Sequence, residues 1–343
     1  MTTTARAIVI PAADRLELRQ VELTAPGPDD VVVRTAYTSI SAGTERMLLA
    51  GRMPHPMLAF PVIPGYETVG RVVGLGANVP PAWEGRWVYV GGARCYSGVN
   101  PAWGGQSDTL IADHRRAVPL DGLEPRQGVL LALAATALHG VDLLFATEGT
   151  EHAERERARA AEATPPEPAV SSVATKRVLV LGQGPVGQLA ARIARTRGAW
   201  VAAADRAGSR LALSSANAVI NTAETPLAEA LGQPADMIIE ATGSMAALAE
   251  ALPQLAPGGS VLLLGYYDEL RLPYMPLFLK QARLLTAREW APGDLERCRD
   301  MIASGALDVS GLITHTFAVE QFAEAYRAGL DEPECLKLVM EWE

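Results

Sequence analysis

Cysteine is scarce in this 343-residue chain: Cys95, Cys298 and Cys335 are the only three, and no two lie close together. Such scattered thiols exclude a disulfide framework and a four-thiolate zinc lobe, and they suit a reducing, cytoplasmic compartment. Lysine is as rare, with only Lys176, Lys280 and Lys337 among 30 basic residues. Acidic residues number 39, so the formal net charge is −9, and nothing draws the whole molecule toward nucleic acid. The first ten residues hold no apolar run followed by a small-residue cleavage site, so secretion is not expected. The most apolar stretch, Gly128 to Ala146, is interrupted by His139, Gly140 and Asp142 and reads as a buried helix rather than a transmembrane segment.

What is present is ordinary for a globular protein: 49% apolar and 20% charged residues. That is enough apolar material to offset chain entropy, and the length is expected to divide into about two domains. Ala5 to Ile10, Leu16 to Val21, Asp30 to Tyr37, Tyr66 to Val73 and Arg86 to Val90 read as strands punctuated by glycine and proline. Gln127 to Phe145 changes to a helical period. Residues 148 to 176 change composition again, from alternating acids, arginines and alanines to a Pro/Ser-rich tract, and read as a mobile insertion or linker. Beyond it, five short apolar runs alternate with helices: Arg177 to Leu181, Trp200 to Ala204, Ala218 to Ile220, Met237 to Glu240 and Ser260 to Leu264. That order predicts an α/β domain with a doubly wound parallel sheet. An exposed edge near Val261 to Leu264 suggests a homodimer. Helices around Leu295 to Ser304 and Glu320 to Gly329 and a strand Leu336 to Glu341 end the chain.

The strongest chemical signal is Gly182-Gln183-Gly184-Pro185-Val186-Gly187, between a strand and a helix. Gly182 permits a tight turn, Gly184 lets backbone approach a pyrophosphate, and Gly187 lets the helix sit close on the sheet. The helix N-terminus then faces the phosphate charge. Asp205 ends the next strand, where a carboxylate would bind both ribose hydroxyls and repel a 2′-phosphate, which predicts NAD; Arg206 and Arg210 are the residues that could instead receive that phosphate. Thr242 and Gly243 after the fourth strand, and Gly265 and Tyr266 after the fifth, fall where such sheets bind ligands.

The run Gly65-Tyr66-Glu67-Thr68-Val69-Gly70-Arg71-Val72, with Gly76, Val79 and Gly85-Arg86-Trp87-Val88, resembles the signature of the medium-chain dehydrogenase/reductase family. The resemblance implies a GroES-like β domain (1–147 and 286–343), the linker 148–176 and a Rossmann NAD-binding domain (177–285). Ser39 to Arg46, Leu131 to Ala137, Gly311 to Thr316 and Cys335-Leu336-Lys337 are similar to a zinc-free branch that oxidises the 3-(1-hydroxyethyl) group of a chlorophyllide or bacteriochlorophyllide in bacteriochlorophyll synthesis. In the zinc-dependent relatives a cysteine and a histidine ligand stand where this chain has Ala42 and Tyr66, so the resemblance implies no catalytic zinc here.

Without a metal, the carbinol needs another proton acceptor. Tyr66, Glu45 and Glu67 are the candidates, with Thr44 as a relay, and Glu67 alternatively holds the fold by pairing with an arginine. His139 reads as a core histidine, and Thr136 as a wall of the nicotinamide pocket. Met53, Pro54, Met57 and Phe60, and the loop Tyr266 to Phe278, are candidate walls for a flat pigment, with Arg46, Arg52 or Arg94 for its propionate. A quinone or enoyl reductase using NAD(P)H and a non-catalytic dinucleotide-binding protein are the alternative functions.

Overall fold

The computed structural model describes residues 4–53, 59–162 and 175–342, without the side chains of 147–162. It divides into two units, Met1–Ala132 with Leu295–Glu343, and Leu133–Asp294. These bounds differ from the sequence expectation, because 133–147 and 286–294 group with the second unit. The linker also differs. The helix α2 (Leu131–Glu162) continues through 148–162, and the rest of the expected insertion, 163–174, lies outside the described residues.

The first unit is mostly β. A three-stranded sheet joins Thr4–Val9, Glu17–Leu23 and Tyr96–Ser97, and a seven-stranded sheet is built around Asp30–Thr38. Along Asp30–Thr38 burial largely alternates, as a strand with one face on a core requires. Val31 and Val33 point inward with Val72, Val88, Val90 and Leu110. The chain end returns to this sheet: Met340 and Glu341 of the strand Leu338–Glu341 pair antiparallel with Thr38 and Tyr37. Before this pairing, the short helix α1 (Ala42–Leu49) follows the strand Asp30–Thr38.

The second unit holds six parallel strands: β1 (Arg177–Leu181), β2 (Trp200–Asp205), β3 (Ala218–Asn221), β4 (Ala235–Glu240), β5 (Leu255–Leu263) and β6 (Arg283–Thr286). Their order across the sheet is β3-β2-β1-β4-β5-β6, so the winding reverses between β1 and β4, and ligands lie at the carboxyl ends of the strands beside such a reversal. The helix α3 (Pro185–Thr196) leaves β1, and α4 (Tyr274–Lys280) precedes β6.

One expectation is corrected here. Val261 to Leu263 belong to β5, which is hydrogen-bonded on both sides, to β4 and β6. Val261 and Leu262 are fully buried because a strand between two parallel neighbours is covered on both faces. The edge on that side is β6, a strand the sequence reading missed because its four residues are only half apolar. The apolar helix Pro125–Ala146 has the length and mean hydropathy (2.0) of a membrane span, yet 67% of its most apolar window is buried inside the protein.

Candidate active site

In the first unit, the candidate residues converge on the start of α1. Ser41 is its N-cap residue, but its hydroxyl makes no capping bond. Ser41 Oγ lies instead 2.5 Å from the Tyr66 hydroxyl, and Thr44 Oγ1 is 3.3 Å from the same atom. A capping serine ordinarily stabilises a helix by about 1 kcal/mol, so this hydroxyl has been diverted. Tyr66 is aimed by the turn before it. Gly65 sits at φ +93°, and a Cβ there would come within 2.6 Å of Gln106 Cγ. Tyr89 donates its hydroxyl to the Tyr66 carbonyl at 2.7 Å, and the Trp103 ring stands edge-on to the Tyr66 ring at 5.3 Å. Trp103 holds φ +69°, a left-handed conformation that is costly for a bulky side chain.

Two carboxylates lie beneath this cluster, each 1% exposed. Glu45 Oε1 accepts the Ser41 N–H at 3.2 Å, and its other oxygen accepts the Tyr326 hydroxyl. Glu67 Oε2 accepts from Lys337 Nζ, which also donates to the Ile40 carbonyl at 2.8 Å. The buried partner of Glu67 is therefore a lysine, where the sequence reading expected an arginine. Glu67 Oε1 has no hydrogen-bond partner among the described residues. Burial pushes the Glu45 carboxyl up to about 7 against the bonds from Tyr326 and Ser41. Burial, and next the Glu67 charge, push the Tyr66 hydroxyl well above the usual phenol range.

In the second unit, the glycine turn has the geometry its sequence implies. Gly182 holds φ +85°, and a Cβ at Gly187 would lie 1.8 Å from the Gly182 carbonyl oxygen, so helix and strand meet there only with glycine. A Cβ at Gly184 would meet nothing within 4 Å, so the backbone is open in front of the α3 N-terminus, whose first turn holds Pro185 and Val186. Asp205 accepts the Gln183 N–H at 2.6 Å and the Ala207 N–H at 2.8 Å, which sets its carboxylate against the glycine turn. Arg206 is exposed, and the Arg210 carbonyl accepts from Gln188. Thr242, Gly243, Gly265 and Tyr266 lie just past the carboxyl ends of β4 and β5, with Tyr266 exposed. Thr136 is half-buried on α2. His139 Nδ1 lies 3.6 Å from the buried Asp294 carboxylate.

Residues 27–122 match the alcohol dehydrogenase GroES-like domain and residues 185–304 match the zinc-binding dehydrogenase domain. The chain is 33% identical to the 2-desacetyl-2-hydroxyethyl bacteriochlorophyllide A dehydrogenase of Rhodobacter capsulatus, over 93% of this chain and 92% of that protein. It belongs to the medium-chain dehydrogenase/reductase family. A protein of the same name from Cereibacter sphaeroides is 31% identical over 100% of this chain and 99% of its own length. Among solved structures, an Escherichia coli alcohol dehydrogenase bound to NADH shares the fold at a TM-score of 0.80, with 22% identity over 99% of this chain and 100% of that one. A Sinorhizobium meliloti dehydrogenase bound to NADP shares it at 0.80, also at 22% identity and the same coverage. The second unit is thus the dinucleotide-binding part of a dehydrogenase.

Zinc is implied by the name of one matching domain, and the residues here do not fit it. The site offers neutral hydroxyls from Ser41, Thr44 and Tyr66, and Ala42 contributes only a methyl group, where zinc takes thiolate or imidazole. The nearby Glu67 carboxylate is already paired with the Lys337 ammonium. Among the described residues no group of three or more His, Cys, Asp or Glu side chains is placed to hold a metal. Cys95 is buried, and its sulfur accepts the Ile111 N–H at 3.4 Å.

The expected pigment walls fare unevenly. Met53 and Phe60 are partly buried against Ile10, Leu48, Val62 and Ala102, which is core packing; Pro54 and Met57 lie outside the described residues. Tyr267, Leu272 and Leu277 pack on the second unit's core. Arg46, Arg52 and Arg94 are all exposed, and Arg46 also donates to the Leu330 carbonyl and lies 3.8 Å from Asp331.

Sequence reasoning missed Ser41, Trp103, Tyr326 and Lys337. Lys337 carried a signal, as one of three lysines and as a lone cation in the apolar run Leu336 to Met340. Tyr326, 281 positions from Glu45, carried none.

The raised Glu45 pKa has a definite sign for stability. A carboxyl lifted from 4.5 to about 7 favours the folded state while it is protonated, so this contribution is complete below about pH 4.5 and is lost as pH rises to about 7. Glu45→Gln removes that part of the slope. Thermal unfolding midpoints measured from about pH 4.5 to 8 should fall less steeply in the variant, and identical slopes would show that Glu45 titrates normally.

Proposed function

We propose that the chain oxidises the 3-(1-hydroxyethyl) side chain of a chlorophyllide or bacteriochlorophyllide to 3-acetyl, with NAD as hydride acceptor and no metal, in the cytoplasm. The reading rests first on the near full-length similarity to the Rhodobacter capsulatus bacteriochlorophyllide dehydrogenase. The hydroxyl cluster supplies its chemistry. Tyr66 stays a neutral phenol: its hydroxyl hydrogen-bonds the carbinol oxygen, and as it takes the carbinol proton its own proton passes to Ser41 or Thr44, whose hydroxyl gives one up to solvent water, while the hydride leaves for the dinucleotide. Glu45 and Glu67 are sealed from solvent and act on Tyr66 through their charge rather than on the substrate. A bound nicotinamide supplies the hydride acceptor. Because the carbinol carbon of this substrate is attached to a conjugated macrocycle, positive charge developing there is delocalised, which makes a weak base sufficient.

Preference for NAD follows from Asp205, whose carboxylate at the end of β2 favours ribose hydroxyls over a 2′-phosphate. The buried and widely scattered cysteines Cys95, Cys298 and Cys335 support a reducing compartment. The reading includes a homodimer. The outer edge of β6 carries no ladder partner among the described residues, and α4 beside it exposes Tyr274, Met275, Phe278 and Leu279, so a second copy can continue the sheet and cover the helix.

Incubation with 3-hydroxyethyl chlorophyllide and NAD should red-shift the long-wavelength absorption band as the acetyl group forms, faster than with NADP; no shift with either dinucleotide ends the proposal. Tyr66→Phe should lower turnover by about a hundredfold, and full turnover in that variant would remove Tyr66 from the chemistry. By light scattering, Leu279→Glu should convert a dimeric wild type to monomer, and a monomeric wild type would dispose of the interface.

A further inference from the structure

Glu240, the last residue of β4, is fully buried, and nothing in the proton chemistry uses it. Its side chain curls back onto the turn that follows. Oε1 accepts the Thr242 N–H at 2.7 Å together with the Thr242 hydroxyl, and Oε2 accepts the Gly243 N–H at 3.1 Å. Its main-chain carbonyl accepts the N–H groups of Leu264 at 2.8 Å and Gly265 at 3.0 Å. One residue therefore holds the loop after β4 with its carboxylate and the loop after β5 with its backbone.

The loop after β1 is gathered to the same point. Ala241 donates to the Leu181 carbonyl at 2.9 Å, and a Cβ at Gly182 would lie 2.8 Å from Thr242 Cγ2. Gly265 closes the arrangement, since a Cβ there would lie 2.5 Å from the Gly243 nitrogen and 2.6 Å from Glu240 Oε2. The three loops that converge are those after β1, β4 and β5, on the side of the sheet reversal where a dinucleotide binds.

A carboxylate is costly to bury, and burial raises the Glu240 pKa despite the donors around it. Three convergent donors nevertheless call for a group that only accepts, and among uncharged side chains an amide would turn its NH2 toward one of the N–H groups. We infer that Glu240 is a positioning residue for the dinucleotide, its carboxylate presetting the Thr242–Gly243 turn and through it the spacing of the three loops. The inference rests on the dinucleotide reading of the second unit and adds to it a residue that touches no cofactor atom.

The test uses the full chain. NADH binding is followed by nicotinamide fluorescence, thermal unfolding is measured without nucleotide, and KM for NAD and kcat are measured with the chlorophyllide alcohol. Glu240→Gln keeps the shape and opposes a donor to the Gly243 or Thr242 N–H; it should weaken NADH binding and raise KM for NAD by about tenfold, with kcat at saturating NAD within about threefold of wild type. Thr242→Val, which removes only the hydroxyl, should weaken binding by about threefold and serves if the first variant does not fold. Variants that bind NADH as wild type does, whether or not their unfolding midpoint falls, would reduce Glu240 to a loop brace and overturn the inference. A wild type that binds neither NADH nor NADPH would overturn the cofactor reading, and this inference with it.

Discussion

The buried pair between Lys337 and Glu67 is the constraint around which the first unit is arranged. Both side chains are almost wholly withdrawn from water, at 2% and 1% exposure, and breaking such a pair by removing one partner costs on the order of 3–5 kcal/mol. The pair joins positions 270 residues apart, so the C-terminal strand is held against the segment that carries Tyr66 by charge as well as by its ladder to Asp30–Thr38. It also decides the chemistry open to the site. An ammonium group beside Glu67 takes up the charge that would help attract a metal cation, and it leaves neutral hydroxyls on Ser41, Thr44 and Tyr66 clustered at the start of α1.

That cluster trades local stability for geometry. Ser41 gives up its cap to reach Tyr66, Trp103 holds a left-handed backbone to stand against the Tyr66 ring, and Glu45 is buried with a carboxyl lifted to about 7. Each departs from what its residue type does best elsewhere, and the three lie around a single phenol. Costs concentrated in this way are characteristic of functional sites, where the surrounding fold holds arrangements that isolated segments would relax. The second unit follows a different logic. Its ligand space comes from missing side chains, with Gly182, Gly187 and Gly265 allowing close approaches and Gly184 opening room before α3. Glu240 holds the loops that surround that space.

Most of the second unit was readable in advance because its parallel strands are covered on both faces and appear as unbroken apolar runs. The glycine turn was readable because its constraints are local: a strand, a tight turn and a helix follow within a few residues. The weakly apolar β6 escaped notice, and with it the edge of the sheet beyond β5. In the first unit, Tyr66, Glu45 and Glu67 were picked out as alternative proton acceptors with Thr44 as a relay, and nothing local in the sequence chose among them. Whether each carboxylate is exposed or sealed depends on Tyr326 and Lys337, which arrive from the far end of the chain.

The amino-acid sequence alone determined the two-part organisation, the dinucleotide turn with its terminal acid and the absence of the usual metal-ligand types, since each depends on residue identity over short spans where backbone sterics and periodicity act. Tertiary structure decided which cation neutralises Glu67, why Ser41 turns from its helix toward a phenol, and how Glu240 gathers three loops. Those outcomes depend on desolvation and on hydrogen bonds between segments distant in the chain, and such energies exist only once folding has brought the partners together.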